Sequence, residues 1–563
     1  MLLEFGGQPP RLYRGARDFV VTREPGEVRG CLGRLRASGR HAAGFIGYEA
    51  GHALERKLSP LCRSAEEGAP PLLWFGLFDG FEEVDLHAIL PDPAGACTAR
   101  PKPRIAPSAY RDAAAIIREH IFEGDIYQAN FTFQADVLTA GHPLAIYAGL
   151  RKRARAGWGA VVFTGEHWIL SCSPELFFTL EGRHIVTRPM KGTLPSSADP
   201  EALRSDPKQR AENLMIVDLL RNDLSRVSKP GTVHVPELFA VETYPTVHQM
   251  TSTVTAELED GIGPWDVIET IFPCGSVTGA PKIRAMEIIA EREEAPRGVY
   301  TGSIGRVAPD GEAAFNVAIR TLTLAAGARV AAMGLGSGLV ADSVAGDEWR
   351  ECGAKGEFVA SARSFDLLET MRFDPEEGLI ALERHLGRIK ASADALGFAF
   401  DRHHTRNELQ AASFTLREPR KLRLRLSPTG TLAIETRALP PEPEGPVRVA
   451  IAALPVDAQD FRLRHKTSDR GFYDRARQAS GAFEVLFTDG RGFLTEGSFT
   501  SLFVDNGKTL LTPPLSRGLL PGIFREMLIE EGRAVESDLT EDDLRDGFYI
   551  GNAVRGLIAA RLS

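Results

Sequence analysis

The chain has 563 residues, carries 66 Lys and Arg against 75 Asp and Glu, and has a net charge of -9 at pH 7. At roughly 100–200 residues per domain it is too long for one core, which implies about two to four domains. The acidic balance excludes a protein whose main task is gripping nucleic-acid backbones, although a local cluster of Arg and Lys can still hold a small anion.

Hydrophobic residues make up 43% and charged residues 25%, the composition of a soluble globular chain. The opening Met1-Leu-Leu-Glu-Phe-Gly-Gly lacks the basic start and apolar run of a signal peptide. No stretch approaches the ~18 uninterrupted apolar residues of a membrane span. Six cysteines without a C-x-x-C pair predict a reducing, cytoplasmic setting with neither disulfide framework nor zinc knuckle. All six, Cys31, Cys62, Cys97, Cys172, Cys274 and Cys352, precede residue 353, a first sign of two modules.

Along the chain, a Pro-rich stretch from Pro91 to Pro107 interrupts any periodic element. Ser108 to Glu123 reads as an amphipathic helix, with Ile116, Ile117, His120 and Ile121 near helical spacing and Gly124 ending it. Ile126 to Val137 alternates in part and reads as a strand. The basic run Arg151-Lys-Arg-Ala-Arg155 reads as a solvated helix face. Asn213–Leu224 and Pro281–Arg292 are predicted helices, Pro281 being suited to a first turn. Lys421-Leu-Arg-Leu-Arg-Leu426 alternates as a half-buried strand. The expected class is α+β, with no regular βαβ series.

Glu348, Glu351 and Lys355 share one face if Asp347 to Lys355 is helical. On spacing alone this is an ordinary Glu351–Lys355 ion pair; the alternative is a Mg2+ site completed by Glu212. Gly334-Leu-Gly-Ser-Gly338 reads as a turn able to cradle a carboxylate, and His248 as a satisfied histidine.

Seven strings then occur in one order: Gly124 to Gln128, Ser173-Pro-Glu175, Pro189-Met-Lys-Gly-Thr193, Glu212 to Asp223, Gly275 to Lys282, Ile319-Arg-Thr321 and Glu348 to Lys355. Over roughly residues 1–360 this order resembles the chorismate-utilising enzymes: anthranilate synthase component I, aminodeoxychorismate synthase component I and the isochorismate synthases. The resemblance implies an α/β sandwich that holds Mg2+ on Glu212, Glu348 and Glu351, and chorismate, a dicarboxylate.

Gln128 stands where isochorismate-type members carry a Lys base, and a neutral amide cannot deprotonate water. Lys191 stands where anthranilate synthases carry Ala and aminodeoxychorismate synthases carry the proposed nucleophile. A lysine attacks only if burial or neighbouring cations lower its pKa, and Arg188 is the expected neighbour. By the same resemblance Glu175 is the acid/base and His248 lies near the C4 hydroxyl. Gln128, Thr193, Tyr300, Arg320, Lys355 and the turn holding Gly336 and Gly338 grip the substrate. Ammonia needs a source. Val28-Arg-Gly-Cys-Leu-Gly33 puts Arg29 where a nucleophile elbow needs glycine, so Cys31 reads as structural and a separate glutamine amidotransferase subunit is the implied partner.

From Phe365 onward a second pattern begins. His465 to Arg470 is a basic cluster around Lys466, equally consistent with a solvated loop. A pyridoxal phosphate enzyme needs a Schiff-base Lys, an acid for the pyridine nitrogen and phosphate donors, for which the candidates are Lys466, Glu496, and Arg388 with the backbone at Gly522-Ile523 and Asn552-Ala553. Residues 364–563 resemble the fold-type IV enzymes, which include branched-chain and D-amino-acid transaminases and 4-amino-4-deoxychorismate lyase. Ser501 replaces a usual Asn, Phe524 interrupts a G-I-T-R string, and the segment before Phe365 is short for the opening hairpin.

The expected organisation is therefore a chorismate-binding α/β sandwich over 1–362, with an opening subregion of about 1–100 and a catalytic region of about 104–362. A two-lobed PLP domain follows over 363–563. The expected chemistry is 4-aminobenzoate synthesis for folate, with Arg555 as a substrate carboxylate contact in the second half. The alternatives are an anthranilate synthase component fused to an aminotransferase, and a non-catalytic scaffold. A homodimer through the C-terminal half follows from the resemblance alone; nucleic-acid and membrane partners are not expected.

Overall fold

A computed structural model describes residues 1–563 apart from 196–197, 244–246 and 362–364, and apart from the side chains of 193, 195 and 247. The boundary expected at 362/363 thus lies outside the described residues, as does the side chain of Thr193. The chain forms two compact units. One comprises residues 1–90, 100–137 and 147–360, and the other 91–99, 138–146 and 361–563. Part of the Pro-rich stretch belongs to the second unit, where a Cβ on Gly95 would come within 2.9 Å of Asp460 Oδ2.

The first unit is a sandwich of two mostly antiparallel sheets. One sheet orders Gly279–Ala280, Gln128–Ala140, Val330–Leu339, Thr321–Ala325, His167–Ser173, Trp158–Phe163 and Leu2–Phe5 side by side. The other runs Met190–Pro195, Val247–Glu257, His184–Arg188, Leu176–Glu181, Ala313–Asn316, Ser303–Val307, His41–Ile46 and Leu73–Phe78, with Asp18–Thr22 at its edge. Leu3, Val162 and Ile169 of the first meet Phe45, Trp74 and Ile304 of the second in a shared apolar layer. The opening residues therefore supply strands to both sheets.

Helices cover the outer faces. Pro207–Ser225 lays Ile216, Val217, Leu220 and Leu224 against the second sheet. Pro107–Phe122 buries Tyr110 against Phe131, Phe133 and Trp349, the last on the helix Ala345–Gly356. The expected helices and strands are present with shifted ends. Pro281 takes the N-cap, with extended backbone, rather than the first turn of Lys282–Arg292. The basic run 151–155 closes the helix Pro143–Ala154 but is not merely solvated: Arg151 pairs with Glu4, and Arg153 donates to the Phe358 carbonyl at 2.7 Å.

The second unit has two lobes. In one, Gly378–Leu379, Leu367–Asp374, Arg420–Leu426 and Leu432–Ala438 form a sheet, and Leu382–Leu396 and Arg402–Ser413 are its helices. Leu422, Leu424 and Leu426 point to the core together with Leu367 and Met371, as period-2 alternation requires. The other lobe is an eight-stranded sheet that includes Val447–Ala453, Glu484–Thr488, Leu494–Gly497, Ser501–Asp505 and Phe548–Asn552. Among the described residues Cys31, Cys62, Cys172, Cys274 and Cys352 form no disulfide. Among the described residues no helix is long and apolar enough to cross a membrane.

Candidate functional sites

In the first unit, Gln128, Lys191 and Gly338 come from three different strands and meet. A Cβ on Gly338 would lie 2.8 Å from Gln128 Nε2 and 3.1 Å from Lys191 Nζ. The glycine cluster is a strand and not a turn: all of Gly334, Gly336 and Gly338 belong to Val330–Leu339. They are glycines because neighbours occupy the side-chain space. A Cβ would come within 2.0 Å of the Tyr300 ring at Gly334 and 2.6 Å of the Phe131 carbonyl at Gly336.

Glu175 lies in the link between His167–Ser173 and Leu176–Glu181, 5% exposed, with its Oε1 lacking a hydrogen-bond partner among the described residues. Burial raises its carboxyl to about 7, against the opposing pull of the Ser276 hydroxyl and the Lys191 charge. It is thus poised to give or take a proton near neutrality. The Lys191 amine is pushed below its ordinary value, first by burial and then by Lys355; Glu212, Glu175 and Glu351 pull it back. The neighbouring cation is Lys355 and not Arg188, which is engaged by Glu242 and by Glu237 at 3.8 Å.

Lys355 pairs with Glu351 at 2.7 Å and also donates to the Gly336 carbonyl at 3.1 Å, so the ion pair expected on spacing forms beside the glycine strand. His248 is buried, with Nδ1 2.9 Å from Thr243 Oγ1 and Nε2 3.0 Å from the Ala198 carbonyl. Arg320 sits at φ 51°, and Thr301, next to Tyr300, at φ 59°. Non-glycine residues in this left-handed region are strained, and such strain gathers at functional sites.

Glu212, on Pro207–Ser225, has its proton affinity raised by burial and by the like charges of Glu351 and Glu348, against Lys191 and Lys208. Three carboxylates facing one region are the right donors for a hard cation. In this structure the ligand oxygens of the three do not all lie within 4.8 Å of one another. Glu348 accepts from Ser343 at 2.7 Å, and Glu351 is taken by Lys355. The triplet within that distance among the described residues is His120, Glu123 and Asp125, and Asp125 already pairs with Arg284 at 2.8 Å.

In the second unit, burial and then the Arg388 charge lower the Lys466 amine to about 7. Glu496 is buried, accepts from Tyr473 Oη at 2.6 Å and pairs with Arg470 at 3.3 Å. Arg388 forks onto Glu369 at 2.8 and 2.6 Å and donates to the Pro521 carbonyl at 2.8 Å. That contact places it beside Gly522, the N-cap of the helix Ile523–Glu530. Gly522 abuts Ser501, where a Cβ would lie 2.8 Å from the hydroxyl, and Ser501 pairs in register with Gly551. Asn552 Oδ1 accepts from the amides of Val554 and Arg555 at 3.0 Å, which shapes the turn that contains Ala553.

A buried lysine with a lowered pKa, a buried carboxylate and an uncapped helix N-terminus suit pyridoxal phosphate. The Arg555 guanidinium donates to the Pro441 carbonyl at 3.2 Å.

Sequence reasoning passed over Ser276, although it lies inside a quoted string. It also passed over Glu369 and Tyr473, and gave Arg470 only as part of a basic cluster. Glu369 carried a signal: it is an acid on the inward face of an otherwise apolar strand.

Residues 25–361, more than half of the chain, match the chorismate binding enzyme family. The chain belongs to that family. Residues 366–562 match the class IV amino-transferases, which accords with the two-lobed second unit. Within the chorismate binding enzymes, aminodeoxychorismate synthase component 1 of Klebsiella aerogenes is 44% identical over 242 residues, which is 42% of this chain and 53% of that protein. Anthranilate synthase component 1 of Methanothermobacter marburgensis is 33% identical over 389 residues, 62% of this chain and 83% of that one. The crystal structure of anthranilate synthase component I from Streptococcus pneumoniae superposes with a TM-score of 0.54 at 25% identity, covering 62% of this chain and 91% of that one. The chain spans about half the length of the curated aminodeoxychorismate synthase relative.

Proposed function

We propose that the first half converts chorismate and ammonia to 4-amino-4-deoxychorismate, and that the second half eliminates pyruvate to leave 4-aminobenzoate for folate. The observation that carries this reading is Lys191 beside Gln128 and Gly338, its amine made less basic by burial and by Lys355. In this scheme the Lys191 amine adds at C2 while Glu175 protonates the departing C4 hydroxyl, which leaves as water. Ammonia then adds at C4 and displaces the lysine, with Glu175 taking up a proton. Arg320, Lys355, Tyr300 and Thr193 would hold the substrate carboxylates. Glu212, Glu348 and Glu351 would hold Mg2+, which polarises the ring carboxylate.

In the second half, pyridoxal phosphate supplies an electron sink when bound. Lys466 would anchor it and carry the C4 proton, Glu496 would face its ring nitrogen, and Arg388 with the Gly522 amide end would face its phosphate. A glutamine amidotransferase subunit would supply ammonia in the cytoplasm, and a homodimer would form through the second half.

The deciding experiment incubates the purified chain with chorismate, ammonium, Mg2+ and pyridoxal phosphate and identifies products by mass spectrometry. The expected products are 4-aminobenzoate and pyruvate. Aminodeoxychorismate alone would overturn the second step. Anthranilate would favour the other reading, which the likeness to anthranilate synthase components over 83% and 91% of their lengths supports.

A further inference from the structure

Glu484 opens the strand Glu484–Thr488 of the second unit and is fully buried. One of its carboxylate oxygens accepts from the amides of Val485 at 2.8 Å and Ser498 at 3.0 Å, and from the Ser498 hydroxyl. The other accepts from the Phe499 amide at 3.2 Å and the Thr500 hydroxyl at 2.8 Å. All but the Val485 amide come from 498–500, the loop that follows Glu496. A carboxylate suits this place because it only accepts, whereas a glutamine amide would turn an NH2 group onto a donor. Burial raises the Glu484 carboxyl, and these donors oppose the rise.

Strand pairing leaves Glu496 unfixed. Leu486 pairs with Gly497 and Thr488 with Leu494, so three steps on one strand oppose two on the other, and Glu496 lies in the resulting bulge. Bulges re-aim side chains beside active sites and give up ladder hydrogen bonds to do so. Glu484 closes the far end of this one. A Cβ on Gly497 would lie 2.8 Å from Glu484 Oε2, and the Gly497 amide donates to the Thr500 carbonyl at 2.8 Å. The loop then runs into Ser501, which abuts Gly522, and its Phe499 carbonyl accepts from Asn552 Nδ2 at 3.2 Å. One buried carboxylate therefore ties the residue assigned to the cofactor ring nitrogen to those assigned to its phosphate.

We infer that Glu484 is a positioning residue for pyridoxal phosphate, acting through the loop that sets where Glu496 points. The inference rests on the cofactor reading of the second unit proposed above. A second link runs through space. Burial raises the Glu496 carboxyl, Arg470, Tyr473 and the Leu520 amide lower it, and the Glu484 charge adds to the rise. Groups coupled in this way give non-additive effects when both are changed.

The test titrates pyridoxal phosphate onto the purified full chain and reads its dissociation constant and visible spectrum. The variants are Glu484→Gln, Thr500→Val and Glu496→Gln, with each of the first two also combined with the third. Glu484→Gln should raise the dissociation constant about tenfold or more and move the spectrum toward that of Glu496→Gln. In the Glu496→Gln background the same change should cost less than about twofold. Thr500→Val removes one donor and keeps the carboxylate, so it should raise the constant about threefold with the same dependence on Glu496. That variant decides the question if Glu484→Gln does not fold. An unchanged constant, or equal losses with and without the Glu496 carboxylate, makes Glu484 a structural residue only and overturns the inference. A wild-type chain that takes up no pyridoxal phosphate sinks the cofactor reading itself, and the inference with it.

Discussion

Gly338 and Lys191 stand so close that a methyl group at 338 would lie 3.1 Å from the lysine nitrogen, and 2.8 Å from the amide nitrogen of Gln128. Both obstacles are the far ends of flexible side chains, so Gly338→Ala should fold and instead displace Lys191 and Gln128. Displacements near 1 Å cost reactions as much as ~100-fold, so amination should drop by at least about tenfold while the second half, given its substrate, is unaffected. Gly336→Ala meets the Phe131 carbonyl at 2.6 Å and should instead destabilise the chain by about 1–3 kcal/mol. Steady-state rates and urea melts on both variants separate the two effects.

Glu175 binds its proton more tightly folded than unfolded, because burial raises it from 4.5 to about 7. Its contribution to stability is therefore fully present below 4.5 and is lost as pH rises through about 7. Glu175→Gln, which cannot ionise, should gain stability over the wild type across that window, on the order of 3 kcal/mol at pH 8. The same variant should lose amination. Denaturant melts at pH 4.5 and 8 check the first claim, and a gap that does not widen would show that Glu175 is not titrating near neutrality.

Lys466 should be a nucleophile at neutral pH. With its amine lowered from 10.5 to about 7, borohydride trapping of added pyridoxal phosphate should rise through pH 7. Lys466→Ala should give no adduct at any pH. A midpoint above 9 would mean that the amine is not desolvated.

Glu369 neutralises Arg388 at 2.6 Å and accepts from His385 at 2.6 Å inside the core. Removing one member of a buried ion pair strands the other, at about 3–5 kcal/mol, so Glu369→Ala should lower stability by that amount. Arg388 and His385 hold the Glu369 carboxyl well below the usual carboxylate range despite its burial. Its contribution is therefore present at all mild pH and is lost only as strong acid protonates it. Denaturant melts at pH 5 and 8 should show the same deficit.

Much of the fold was legible in the sequence because periodicity reports burial directly. The alternation of Leu422, Leu424 and Leu426 fell on buried positions, whereas in the helix Ile117 is buried and Ile116, His120 and Ile121 are half-buried. The element ends moved where a cap decided them, as at Pro281 and at Asp206, whose side chain accepts from the amides of Lys208 and Gln209. The glycine cluster at 334–338 was misread as a turn. Locally its glycines look like turn formers, but they are forced by Tyr300, Phe131 and Gln128, which are distant along the chain.

What the sequence determined by itself was the identity of the chemical groups and their order: Lys191 and not Ala, Gln128 and not Lys, Lys466 and Glu496 in a separate module. Only the tertiary structure decided their protonation and their partners. Burial sets the values of Glu175 and Lys466, Lys355 rather than Arg188 modulates Lys191, and Glu369 holds Arg388. The reason is that desolvation and Coulomb interaction depend on distance through space and on exclusion of water. Neither quantity is written along the chain.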